Sequence, residues 1–193
     1  MYVPSDDIVP IGNVQPDWIG GLGNSVTFKN WNLYFLFDVR MGGQIFFTSY
    51  MWGMYSGMLE ETVENNIRED GIVLDGVMED PNNPGTYVPN DVNLSAEAYG
   101  LNHYFVNAMN VFDADYIKLR ELTLTYTFSD SFLEKTPFTN LRVGVFGRNL
   151  WTFATDIEHF DPEHVTNAGN IQGIEGAQVP NTTSVGVNLG INF

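Results

Sequence analysis

The sequence contains no cysteine. That excludes a disulfide framework, a thiol nucleophile and a thiolate metal site. Positive charge is scarce too: 8 Lys and Arg stand against 24 Asp and Glu, for a net charge of −16. Nucleic-acid binding needs a basic footprint for the phosphates, so that function class is excluded. No apolar run approaches the roughly 18 residues of a transmembrane helix. Residues 1–13 lack the basic start and apolar core of a signal peptide. The expectation is therefore either a cytosolic protein or a chain whose true N-terminus lies upstream.

What the chain does have is aromatic residues, at 14%, and 19 glycines. Both suit a β protein with aromatic girdles. The mean hydropathy of −0.11 is compatible with that, because only alternate strand residues face lipid. The last stretch, TTSVGVNLGINF, is the clearest case. Val185, Val187, Leu189, Ile191 and Phe193 alternate with small or polar residues, which makes one greasy face and one polar face. An earlier pair of alternating runs, Leu22–Phe28 and Trp31–Met41, flanks Lys29-Asn30 and predicts a β-hairpin, with Asn30 tolerating a positive φ. Asp38 and Arg40 fall on its polar face, within reach of each other for an ion pair.

Between Tyr116 and Phe128 the alternation changes phase, and one extra residue near Arg120-Glu121 repairs it, which predicts a β-bulge or a protein-covered end. The spacing predicts strands over about 19–28, 31–47, 115–128, 141–153 and 182–193. Two long acidic loops separate them, over about 48–113 and 154–180. Within the first, Met51–Arg68 has helical spacing and Ser95 is placed to start a second short helix. Short and long connections alternate, as in an outer-membrane barrel. Five strands cannot close such a barrel, and an open sheet would expose two edges to hydrocarbon. The fold class expected is all-β: an antiparallel transmembrane β-barrel segment with short helices in its outer loops.

Three ordered stretches carry a family resemblance. They are IGNVQPDWIGGLGNSVTFKNWNLYFLFDVRMGGQIF, DYIKLRELTLTYTFSDSFLEKTPFTNLRVGVFGRNLWTF, and the DPE at Asp161–Glu163 ahead of a closing strand that ends in Phe. Together they resemble the C-terminal part of the SusC/RagA family of TonB-dependent outer-membrane transporters from Bacteroidetes. The resemblance implies a larger barrel of about 22 strands, with the plug domain absent from this chain. It implies location in the outer membrane, in contact with its lipid. It further implies a SusD-like lipoprotein over the outer mouth, energy from a TonB complex contacted through the missing N-terminal part, and oligosaccharide or peptide as cargo. Phe193 is then an assembly signal for barrel insertion. Departures include Arg148, where the family often has Gln or a small polar residue.

No catalytic constellation is present. His103 has no placed nucleophile and no GxSxG motif accompanies it. The neighbouring acids Glu60-Glu61 and Glu79-Asp80 say nothing about the spacing a glycosidase needs. Asp156, Glu158, His159, Asp161, Glu163 and His164 form a cluster open to a Ca²⁺ or transition-metal reading, but it lacks EF-hand and HExxH spacing, so a solvated acidic loop is expected. No cofactor or metal site is expected. Trp31 and Trp151 suit interface belts. Trp52, Tyr55, Tyr99 and Tyr104, in the first long loop, are the candidate ligand contacts. The alternative to an importer is a stand-alone β-sheet carbohydrate-binding or adhesion module. The two differ over Val185, Val187, Leu189 and Ile191: bare in the first, buried against a second layer in the other. A porin that needs no energy source is a third class.

Overall fold

Eleven residues of alternating character, a two-residue turn and eleven more give the first hairpin, β1 (Trp18–Phe28) and β2 (Trp31–Met41), paired from Trp18↔Met41 to Phe28↔Trp31. The computed structural model describes residues 2, 7–157, 159–164, 169 and 172–193. After β2 come β3 (Gln44–Phe47), α1 (Thr48–Ser56), α2 (Ile67–Asp70), β4 (Ile72–Val73), β5 (Val77–Glu79), β6 (Tyr87–Pro89), β7 (Asn93–Leu94) and α3 (Ala96–Phe105). The chain continues through β8 (Val111–Asp113), β9 (Tyr116–Thr127), α4 (Asp130–Leu133), β10 (Asn140–Phe153), β11 (Ile174–Glu175) and β12 (Ser184–Asn192). It divides into two units, one of residues 14–44, 113–164 and 179–193, the other of residues 1–13, 45–112 and 165–178.

The first unit holds a five-stranded antiparallel sheet in the order β1-β2-β9-β10-β12. Its register builds rows that cross every strand. Val26, Leu33, Leu124, Val145 and Val187 make one such row, and Phe28, Trp31, Tyr126, Val143 and Leu189 another. On the opposite face the rows are polar, for example Thr27, Asn32, Thr125, Gly144 and Asn188. Among the described residues nothing covers the apolar face. Val185 is 77% exposed, Val187 71% and Leu189 62%. The outward-facing Trp31 and Trp151 are exposed on it as well. Phe193 is exposed and sets its ring 5.4 Å from that of Phe138.

The phase change in the sequence has a structural counterpart. Leu36 pairs with Glu121 and the next residue, Phe37, pairs with Leu119, so Arg120 is an extra residue in β9. Opposite it β10 also loosens: Arg148 pairs with Glu121, Trp151 pairs with Leu119, and Asn149 takes a positive φ of 50°. The bulge keeps Lys118 and Glu121 on one face although their numbers differ in parity.

Three local expectations are corrected. In the hairpin turn the positive φ belongs to Lys29 (53°), while Asn30 donates its amide to the Thr127 carbonyl at 2.6 Å. The strand expected over 31–47 breaks at Gly42-Gly43, whose φ values of 79° and 83° do not fit a ladder. Asp38 does not pair with Arg40, whose Nη2 donates instead to the Val14 carbonyl at 3.0 Å.

The second unit is built on helices. The helical spacing of 51–68 yields α1 alone, because Gly57 turns left-handed (φ 71°) and ends it, and only 3-10 turns and the short α2 follow. Ser95 does start α3, its hydroxyl accepting from the Ala98 amide at 3.2 Å. The two helices pack closely at Gly100, where a side-chain carbon would lie 2.8 Å from the Met54 carbonyl. Phe47, Met54, Ile67 and Asn102 are buried around them. The loop expected to lack strands carries short pairs, β4 with β7 and β5 with β6.

Gly42→Val should cost about 1–3 kcal/mol locally, because a branched side chain resists this φ and would meet the Asp17 backbone nitrogen at 2.8 Å. The readout is hydrogen exchange at the Asp17 amide, which donates to the Met41 carbonyl at 2.8 Å. Faster exchange is expected; an unchanged rate would show that the site tolerates the residue.

Candidate functional site

The polar face of the sheet carries a cluster of charges. Lys118 and Arg120 come from β9, Asp38 from β2, and Asp161 and Glu163 from the segment after β10. The Lys118 ammonium, 5% exposed, pairs with Asp161 and lies 2.7 Å from Glu163 Oε2. The Arg120 guanidinium grips Asp38 Oδ2 through Nε at 3.0 Å and Nη2 at 2.7 Å. It also pairs with Glu163, its Nη1 lying 2.7 Å from Oε2. The Tyr116 hydroxyl donates to Glu163 Oε1 at 2.9 Å, and Asn181 Nδ2 donates to Asp161 Oδ2 at 2.9 Å. Two cations thus serve three carboxylates, and the half-buried acids are satisfied by strand residues.

The acidic loop is therefore not the solvated segment expected for all its members. Asp161 and Glu163 turn inward and spend their lone pairs on Lys118 and Arg120, while Asp156 and His159 stay exposed. Glu158 lies outside the described residues. Burial alone would raise the Glu163 carboxyl, but the hydrogen bonds from Arg120 and Lys118, the Lys118 charge and the Tyr116 hydroxyl outweigh it and hold it at about 2. Among the described residues, no group of three His, Asp or Glu is placed to hold a metal ion. A cavity of about 580 Å³ adjoins the cluster, lined in part by Asn149, Trp151, Thr152, Phe160 and Asn181. The arrangement contains no activated nucleophile; what it does is fasten residues 161–163 to the sheet. Lys118 and Arg120 were not legible as site residues, although the bulge at Arg120 and the DPE motif were both visible.

The helical unit brings together three of the four candidate ligand aromatics. Trp52 and Tyr55 from α1 and Tyr104 from α3 have ring centroids 5.5–5.6 Å apart, and all three are exposed. Phe105 extends the group, 5.2 Å from Tyr104. Tyr99 does not join them. It is half-buried, edge-on to His103 at 5.3 Å. His103 itself is buried, with Nδ1 3.0 Å from Asn110 Oδ1, and burial lowers its pKa, so it stays neutral inside the unit. Burial also pushes the neighbouring Tyr50 hydroxyl up to about 12, with help from the Glu61 charge.

No family model matches the chain. Individual relatives do. TonB-dependent receptor P3 of Formosa agariphila is 26% identical over 190 residues, covering 95% of this chain and 17% of the relative. TonB-dependent receptor P39 of the same organism is 26% identical over 192 residues, covering 98% of this chain and 17% of its own length. Along nearly its whole length the chain resembles the TonB-dependent receptors. It spans about a sixth of the curated relatives it matches, 17% of each. The fold agrees with this likeness. A chain of the RagAB peptide importer in its open-open state superposes with a TM-score of 0.58 at 20% identity, covering 93% of this chain and 17% of that one. A second RagAB peptide transporter structure gives 0.56 at 23% identity, over 90% of this chain and 17% of that one. In fold, this receptor-like segment thus matches about a sixth of a RagAB chain.

Lys118→Met leaves two carboxylates without their shared cation and should cost about 3–5 kcal/mol, the scale for breaking a buried pair. Hydrogen-exchange protection of residues 159–164 reports the loss. The folded pKa of Glu163 lies below its unfolded value of 4.5, so its contribution is fully present above about pH 4.5 and disappears as pH falls toward 2. Protection, corrected for intrinsic rates, should hold from pH 8 to 5 and decline below that window. Glu163→Gln should flatten the decline. A decline that persists in this variant would assign it to another group.

Proposed function

We propose that this chain is a wall segment, with its outer loops, of a TonB-energised importer in the outer membrane. The observation that carries the reading is the bare apolar face. Rows of Val, Leu, Phe and Trp cross all five strands without a covering layer among the described residues, while every charged side chain of these strands is on the other face or at the bulge. A charge on the lipid face costs about 2–4 kcal/mol near mid-membrane, so this segregation is what a bilayer demands. The stand-alone adhesion or carbohydrate-binding module needs that face buried, and its exposure favours the importer.

The two open edges of the sheet support membership of a larger barrel, of about 22 strands by analogy with outer-membrane transporters. On this reading the segment is the C-terminal part, and Phe193 is the assembly signal read by the insertion machinery. A TonB complex would supply energy through a part of the receptor outside this chain. A SusD-like lipoprotein would share the outer face, and cargo would be oligosaccharide or peptide. The residues do no covalent chemistry. Trp52, Tyr55 and Tyr104 present a convergent exposed surface and are the cargo-facing candidates. Tyr99, packed on His103, supports the unit instead.

Val187→Lys in the complete receptor should weaken refolding into bilayers by about 2–4 kcal/mol in a urea titration. Thr125→Lys, on the opposite face, should cost far less. Equal losses at the two positions would mean that neither face meets lipid and would sink the membrane reading.

A further inference from the structure

Beside the aromatic trio in the helical unit lies a cavity of about 590 Å³, a volume suited to part of a small ligand. Tyr55 belongs to both. The cavity is also lined by Ser56, Arg68, Ser95 and Glu97. Arg68 is the one Lys or Arg among these lining residues, and among the described residues no carboxylate forms an ion pair with it.

Its position is nevertheless built. Nη2 donates to the Gly57 carbonyl at 2.7 Å and to Thr62 Oγ1 at 3.0 Å. Gly57 is the left-handed cap of α1, and Thr62 is buried, its hydroxyl donating a hydrogen bond to the Leu59 carbonyl at 2.7 Å. Both anchors accept from one nitrogen. The guanidinium is therefore held in place while the rest of its fork is left for a ligand. Arginine presents a planar, always charged fork that matches a carboxylate in a two-point contact. Tyr55 lines the same cavity as Arg68, and through its ring contacts with Trp52 and Tyr104, all three exposed, it continues into an apolar surface.

We propose that Arg68 and the Trp52–Tyr55–Tyr104 surface form a subsite for a carboxylate that sits beside a ring or apolar face of the ligand. Two sources offer that chemistry: a uronate residue of an acidic oligosaccharide, and an acidic or C-terminal carboxylate of a peptide next to an apolar side chain. Glu97, on the cavity wall, repels such a ligand and moderates its affinity. The subsite rests on the importer reading for its biological meaning. Its binding chemistry does not depend on membrane insertion.

The test uses the complete receptor in detergent, with binding followed by calorimetry. The probes are an oligogalacturonate of six residues, a hexapeptide alternating Asp and Phe, and neutral cellohexaose and Ser-Phe hexapeptide controls. At least one acidic probe should bind more tightly than its neutral control. Arg68→Met should weaken that probe about tenfold, in line with loss of a charge-assisted bidentate contact, and leave the neutral controls unchanged. Trp52→Ala should weaken it too. Glu97→Gln should tighten it severalfold, a gain that mere damage to the fold would not produce. Which acidic probe responds names the source. Acidic and neutral probes binding alike, no binding by any probe, or an Arg68→Met effect within twofold would each overturn the subsite. A receptor that passes the bilayer refolding test yet ignores acidic probes loses the subsite alone.

Discussion

One constraint governs the sheet: a strand has only two faces, and one of them carries no charge at all. Five strands obey it in register, so that each apolar row continues across its neighbours from β1 to β12. The rest of the first unit follows from the same rule. Charges displaced to the polar face must find partners there, in a setting where unpaired ions are costly. Arg120 takes one from Asp38 on the neighbouring strand, 82 residues earlier in the chain, and both Lys118 and Arg120 take others from a loop segment more than forty residues downstream. The ion cluster is thus the complement of the bare face.

Much of this is legible in the amino-acid sequence, and the reason is period. Alternation marks the outward residues of β12 and the hairpin around residues 29–30, and a break in alternation marks the bulge at Arg120. Ser95 could be read as a cap because capping is decided within four residues. What escaped the sequence was long-range choice. Asp38 and Arg40 share a face and look like partners, but Arg120 reaches Asp38 from the adjacent strand with a two-point grip. Likewise Asp161 and Glu163 look like any exposed acids until the fold sets buried cations against them. The glycine pair 42–43 shows a third failure. Its residues read equally well as strand, and only the positive φ values reveal a break.

The aromatic residues divide along the same line. That Trp52, Tyr55 and Tyr104 lie in one loop region is a fact of sequence. That they meet, while Tyr99 turns to His103, depends on how α1 and α3 pack through Gly100. The side chain at 99 lies on the inner side of α3 and that at 104 on the outer side, a distinction that composition cannot draw. Arg68 is placed beside Tyr55 by the fold and not by the sequence, because the Gly57 carbonyl and the Thr62 hydroxyl hold its guanidinium in the cavity that Tyr55 also lines.

The bulge has a consequence for how this stretch can change over evolutionary time. Arg120 is the one position in β9 where the residue count and the facing of side chains are uncoupled. Elsewhere in the strand, losing or gaining a single residue would turn every side chain beyond it from one face to the other, exchanging lysine for leucine on the bare face. Length changes in this strand are therefore confined to steps of two, or to the bulge itself. A related chain that has lost one residue here should have lost it at position 120, and with it the cation that holds Asp38.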